Sequence, residues 1–162
     1  MTAWKKMVLT GLIFGFAGIV CAKATYIAND LAQFRVSNQC NYADLSGAIL
    51  SGNHSNAQFN SCNLTGSKAS GTFSASVFNN SNLSSSDWSG ANLSYANFSY
   101  IPLVRTNFSR ADLSYANFQG ALTNDASFDG ANLYGANISQ SQLDAAASYC
   151  EATLPDGTKK HC

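Results

Sequence analysis

From Phe73 to Leu143 every fifth residue is bulky and apolar, with Phe78, Leu83, Trp88, Leu93, Phe98, Leu103, Phe108, Leu113, Phe118, Phe128, Leu133 and Ile138 between, and the polar Thr123 alone breaks the series. A helix repeats every 3.6 residues and a strand every 2. A beat of five means that the chain turns a corner every five residues and sends one large side chain inward each time, which predicts a solenoid.

Two residues before each beat stands a small residue that should also face inward, such as Ala91, Ala96, Ala111, Ala116 and Ala131, with Ser76, Ser81 and Ser86 earlier. One residue before the beat comes Asn or Asp, as at Asn82, Asp87, Asn92, Asn97 and Asp112, whose short side chain can bond its own backbone in a turn. The unit is therefore Ala-Asn/Asp-Leu/Phe-x-x. From about Cys40 to Cys150 the chain resembles the pentapeptide-repeat family. That resemblance implies an all-β fold, a right-handed quadrilateral β-helix with four pentapeptides per coil, so that residue n lies over residue n+20. The interior then sorts into four stacks: Phe73, Leu93, Leu113, Leu133; Phe78, Phe98, Phe118, Ile138; Leu83, Leu103, Thr123, Leu143; and Trp88, Phe108, Phe128, Ser148. About five coils at the strand spacing give an axis roughly 25 Å long.

Upstream the same register is interrupted twice. A residue is lost around Asn53-His54-Ser55-Asn56, and a second slip falls at 66–72, whose glycines predict a loop or bulge. The domain plan is a leader at 1–24, an N-terminal cap at 25–39, the β-helix at 40–150 and a C-terminal cap or tail at 151–162. In the first cap, Asn29 or Asp30 is placed to start a short helix carrying Leu31 and Phe34 over the first coil. In the second, Pro155-Asp156-Gly157 is a turn signal, and family members often finish with a stretch similar to Cys150 through Gly157.

Lys5 and Lys6, the apolar run Met7 to Val20 and Ala22-Lys23-Ala24 follow the order of a secretory signal peptide. Its apolar run is shorter than the ~20 residues that span a bilayer, so no stable membrane insertion is expected after cleavage at Ala22 or Ala24. Val20 is bulkier than the residue favoured before a lipidated cysteine, which argues against a lipid anchor at Cys21. Without Lys5, Lys6 and Lys23 the chain keeps six basic against nine acidic residues, a net charge of −3. No basic footprint for nucleic acid results. Four cysteines remain, and an even number in an exported chain favours disulfides, with three connectivities open. Sequence proximity favours Cys150–Cys162 and Cys40–Cys62.

Catalytic chemistry is scarce. The two histidines, His54 and His161, stand over a hundred positions apart, and the motifs G-x-S-x-G, H-E-x-x-H and the phosphate-binding loop are all missing. No catalytic residue, metal ligand or cofactor is predicted. Asp44, Asp87 and Asp112 are turn formers. Recognition is left to the outer surface, where Tyr95 should lie over Tyr115 on one face, Tyr100 on the next, Arg105 over Asp125 on the third and Arg110 on the fourth. Tyr and Arg dominate interface hot spots, although Arg105 and Asp125 can also simply pair across coils. The expected function is that of a non-catalytic, exported structural or protein-interaction module, periplasmic or extracellular, with a protein as partner. The alternative implied by the family is a DNA-mimicking protein that protects a topoisomerase, an activity that calls for a strongly acidic cytosolic rod.

Overall fold

The computed structural model describes residues 27–162; the leader predicted at 1–24 lies outside the described residues. Each five-residue unit forms one side and one corner of a coil. At the corner the carbonyl of the beat residue accepts from the N–H three residues on, as in Ala96 N to Leu93 O at 3.1 Å and Ala111 N to Phe108 O at 3.0 Å. Between them the residue two after the beat takes a positive φ, 60° at Tyr95, 57° at Arg105 and 59° at Tyr115, as the third position of a type II turn requires. The Asn or Asp before the beat clamps the same corner from outside. Asn92 Oδ1 accepts from Ser94 N at 3.0 Å and Asp112 Oδ1 from Ser114 N at 3.1 Å.

Successive coils join through parallel bridges. Thr72 pairs with Asn92, Asn92 with Asp112 and Asp112 with Asn132, each a step of 20. Within the coils the large residues are buried and stack on like residues: Phe78 on Phe98 at 4.9 Å between ring centroids, Phe98 on Phe118 at 5.2 Å, Phe108 on Phe128 at 5.5 Å. Neighbouring stacks meet edge to face, as Phe78 does Trp88 at 5.4 Å. The Trp88 indole N–H has its partner inside the core, Ser86 Oγ at 2.8 Å.

The first coils are one residue shorter. Asp44 bridges Asn63 and Asn63 bridges Asn82, steps of 19. The missing residue comes from one wall, where β2 (Ile49–Asn53) pairs in parallel with β4 (Lys68–Thr72); on an adjacent wall β1 (Gln39–Asn41) pairs with β3 (Gln58–Asn60). Thus 66–72 is not the predicted loop or bulge: most of it is a strand in unbroken register with its partner. Gly52 and Gly71 carry φ of 110° and 111° and lie over one another so closely that a Cβ on Gly71 would strike the Gly52 carbonyl. This stacked glycine pair lets the wall straighten and turn with four residues instead of five.

His54 occupies the inward position that the shortened wall leaves. It is buried, stacks on Phe73 with centroids 5.2 Å apart and meets Phe34 at 4.8 Å. Its Nδ1 lies 2.6 Å from Asn38 Oδ1 and its Nε2 3.2 Å from the Ser51 carbonyl oxygen. Burial holds its pKa below the ordinary 6.5, opposed by the Ser51 carbonyl and aided by the Arg35 charge.

Both ends depart from the repeat. Residues 27–37 are helical (α1). Asn29 and Asp30 therefore lie within the helix instead of starting it, and Asp30 Oδ2 accepts from Asp44 N at 2.9 Å. Phe34, fully buried, packs on Phe59 at 4.9 Å. At the other end α2 (Gln140–Ala145) replaces a pentapeptide side, with Ser139 and Gln142 forming a capping box. Leu143 keeps the inward position, Thr123 Oγ1 donates to Gln142 O at 2.7 Å, and Gln142 Nε2 donates to the carbonyls of Phe118 at 2.6 Å and Ala121 at 2.9 Å. The polar beat at Thr123 is thus the seat of this helix. The helix adds a residue, so Ser127 bridges Ser148, a step of 21, and the fourth stack continues from Phe128 to Tyr149 rather than to the predicted Ser148.

Phe118 is fully buried and Gln119 exposed. Phe118→Ala should cost about 3–5 kcal/mol by opening a cavity, and Gln119→Ala about 0.5 kcal/mol or less, as read by chemical denaturation. His54 gives a second test. Its folded pKa lies below the unfolded one, so its contribution is complete above pH ~6.5 and is lost as pH falls toward the lowered value. The melting temperature should therefore drop between pH 7 and 5.5, and His54→Phe should flatten that slope.

Candidate outer surface

Every corner residue points away from the core because the left-handed backbone turns its Cβ outward, and that places the Tyr and Arg side chains on the walls. Tyr95 and Tyr115 are 62% and 47% exposed and stack nearly parallel, centroids 5.0 Å apart and planes 10° apart. Tyr134, which the sequence reasoning did not single out, completes the row by meeting Tyr115 edge to face at 5.6 Å. Its aromatic type one residue after the beat Leu133 was the available signal. Partial removal from water, then the neighbouring Tyr134 and Tyr95, push the Tyr115 phenol above its ordinary pKa.

The rest of the predicted belt does not converge on this row. Tyr100 stands at the next corner with its ring over the backbone of Gly120, just as Tyr115 covers Gly135. Arg105 reaches Asp125 at 3.8 Å with both side chains well exposed, worth under about 1 kcal/mol. Arg110, at a different corner, lies over Gly130. The structure therefore gathers Tyr95 and Tyr115 and leaves Tyr100, Arg105 and Arg110 on separate corners.

Asp44, Asp87 and Asp112 serve the turns. Asp87 Oδ1 accepts from Ser89 N at 3.1 Å and from Asn107 Nδ2 at 3.0 Å, and Asp112 Oδ1 from Ser114 N at 3.1 Å and Asn132 Nδ2 at 3.0 Å. Asp44 Oδ1 holds Ser46 N at 3.0 Å and Asn63 Nδ2 at 3.1 Å. A carboxylate only accepts, and in each case an asparagine on an adjoining coil supplies the donor. Among the described residues no group of three or more His, Cys, Asp or Glu could hold a metal ion, and no helix is long and apolar enough to cross a membrane.

Cys40 is paired with Cys62 and Cys150 with Cys162. The first bond ties β1 to the coil that follows it, and the second ties the tail to the last turn, where Lys160 lies 5.1 Å over the Tyr149 ring and His161 Nδ1 lies 3.6 Å from Glu151 Oε1. The two disulfides thus sit at opposite ends of the described coil.

A family model for pentapeptide repeats matches residues 73–110 and 111–146, in eight copies. No curated protein sequence matches the chain. Among solved structures, the chain is similar to a pentapeptide repeat protein of the cyanobacterium Cyanothece 51142, at 20% identity over 80% of this chain and 97% of that one, TM-score 0.46. It is also similar to HetL of Nostoc sp. strain PCC 7120, a pentapeptide repeat protein involved in heterocyst differentiation regulation, at 24% identity over 75% and 70%, TM-score 0.35. A third likeness is to QnrB1, a plasmid-mediated fluoroquinolone resistance protein, at 19% identity over 75% and 64%, TM-score 0.41.

Proposed function

Given that the chain belongs to the pentapeptide-repeat family, we propose that it is a non-catalytic, exported module that works by presenting a rigid wall to a protein partner. The observation that carries this reading is the row Tyr95, Tyr115 and Tyr134, three aromatic rings on one outer face with Tyr115 in contact with each of the other two. Tyrosine brings contact area with few rotatable bonds and a hydroxyl for hydrogen bonding, and here neighbouring coils already restrain it. The wall beneath is braced from coil to coil, as Tyr95 N is bonded to Ser114 O at 2.8 Å and Tyr115 N to Tyr134 O at 2.9 Å.

The finer organisation belongs to the same proposal. Residues 1–24 are a removable leader, 25–39 an N-terminal cap, 40–150 a right-handed coil of about five turns and 151–162 a C-terminal cap. Export is supported by the charged, apolar and small-residue order of the leader and by the two cysteine pairs, which suit an oxidising compartment. The topoisomerase-protecting alternative asks for an acidic track along the rod. Asp44, Asp87 and Asp112 instead lie in the turns, each accepting from a backbone N–H and an asparagine amide.

Cell fractionation should find the protein in the exported fraction, shortened at Ala22 or Ala24, and mass mapping without reduction should recover peptides linked through Cys40–Cys62 and Cys150–Cys162. Four free thiols in that fraction would defeat the reading. For the wall, a photo-crosslinking phenylalanine in place of Tyr115 should give a discrete protein adduct in the native compartment. The same group in place of Asn124, exposed on a different wall, should give none.

A further inference from the structure

On the wall next to the tyrosine row runs a shallow trough across four successive coils, lined by Asn41 and Tyr42, Asn60 and Ser61, Asn79 and Asn80, and Ser99 and Tyr100. Tyr42, Ser61, Asn80 and Tyr100 are successive corner residues, with φ between 53° and 59°. Tyr42 and Tyr100 stand at the two ends, 85% and 71% exposed, three coil rises apart, about 14 Å at the strand spacing. We propose that this trough binds a neutral, unbranched polysaccharide of β-linked hexopyranose units, one sugar per coil, with Tyr42 and Tyr100 as its stacking platforms.

The lining chemistry selects that class. None of the eight residues is charged, so neither a polyanion such as nucleic acid nor a uronic-acid polymer finds a counter-charge. None of the six residues between the tyrosines is apolar, so a protein partner would find no hydrophobic centre to bury. An added peptide strand finds three of the four corner N–H groups already bonded to the next coil, Tyr42 N to Asn60 O at 2.9 Å, Ser61 N to Asn79 O at 2.8 Å and Tyr100 N to Gln119 O at 2.9 Å. What the trough does offer is amides and hydroxyls in a regular row. Asn60 Nδ2 donates to Asn41 Oδ1 at 2.9 Å and Asn79 Nδ2 to Asn60 Oδ1 at 3.2 Å, which orients the three amides and leaves one N–H on Asn60 and on Asn79, and both on Asn41, to donate outward. The coil spacing is comparable to the length of a hexopyranose in an extended β-linked chain, so each sugar faces one coil's pair of polar side chains, Asn60 and Ser61 on the second coil and Asn79 and Asn80 on the third. The apolar C–H faces of the end sugars match the tyrosine rings, and Tyr100 is already held by the Gly120 backbone beneath it.

The test is native affinity electrophoresis of the mature protein through gels containing hydroxyethylcellulose, barley β-glucan or galactomannan, with polygalacturonate as the charged control. Isothermal titration with cellohexaose follows. At least one neutral polymer should retard the protein. Tyr42→Ala and Tyr100→Ala should each weaken retention tenfold or more with an unchanged melting temperature, and Tyr95→Ala should leave it intact. Retardation by polygalacturonate alone, by no polymer, or equally for all three variants would overturn the assignment.

Discussion

The coil rests on a turn that must put one residue in five into the left-handed region. Most side chains resist that conformation, and the chain nevertheless accepts it at Ala75, Asn80, Tyr95, Arg105, Tyr115 and Asp125 among others. Acceptance is possible because each such residue is over-determined. Its turn is closed by the beat carbonyl from inside; at Tyr95 and Tyr115 an Asn or Asp side chain also clamps it from outside, and at Ala75, Tyr95, Arg105, Tyr115 and Asp125 the corner N–H bonds the next coil. The same geometry decides the division of labour among the five positions: two face the core, one holds the turn, and the corner and the residue before it lie on the outside. Large polar residues can therefore occupy corners at no cost to the interior, and the surface is free to specialise.

How much of this was legible in the sequence follows from the same point. Where the unit is five residues long, apolar beats alone locate the core, so the sequence alone places Phe98 over Phe118 and Leu93 over Leu113. His54 could not, because a four-residue wall moved it onto an inward position where a polar type disguises it. The helix α2 left a readable trace in Ser139-x-x-Gln142, but Leu143 falls on the beat whether its segment is helix or turn, and only the extra residue downstream, with Tyr149 under Phe128, separates the two.

The outer surface was legible one residue at a time and not as patches. Corner positions identify Tyr95, Tyr100, Arg105, Arg110 and Tyr115 as outward, yet four walls diverge from one axis, and residues five apart in sequence end on different corners. Tyr42 shows the converse. It reaches Tyr100 through two steps of 19 and one of 20, by way of Ser61 and Asn80, so a map with a constant period of 20 files the two on unrelated positions.

In a flat sheet a one-residue slip turns every later side chain inside out. The present chain holds a wall of four residues, walls of five and a wall rebuilt as a helix, and after each the core register resumes within one corner. Each turn re-establishes phase independently, so an error in length is contained where it occurs. Such a molecule is fault-tolerant along its axis: insertions and deletions are local edits that reshape a single wall, and the opposite walls, with whatever they bind, are inherited unchanged.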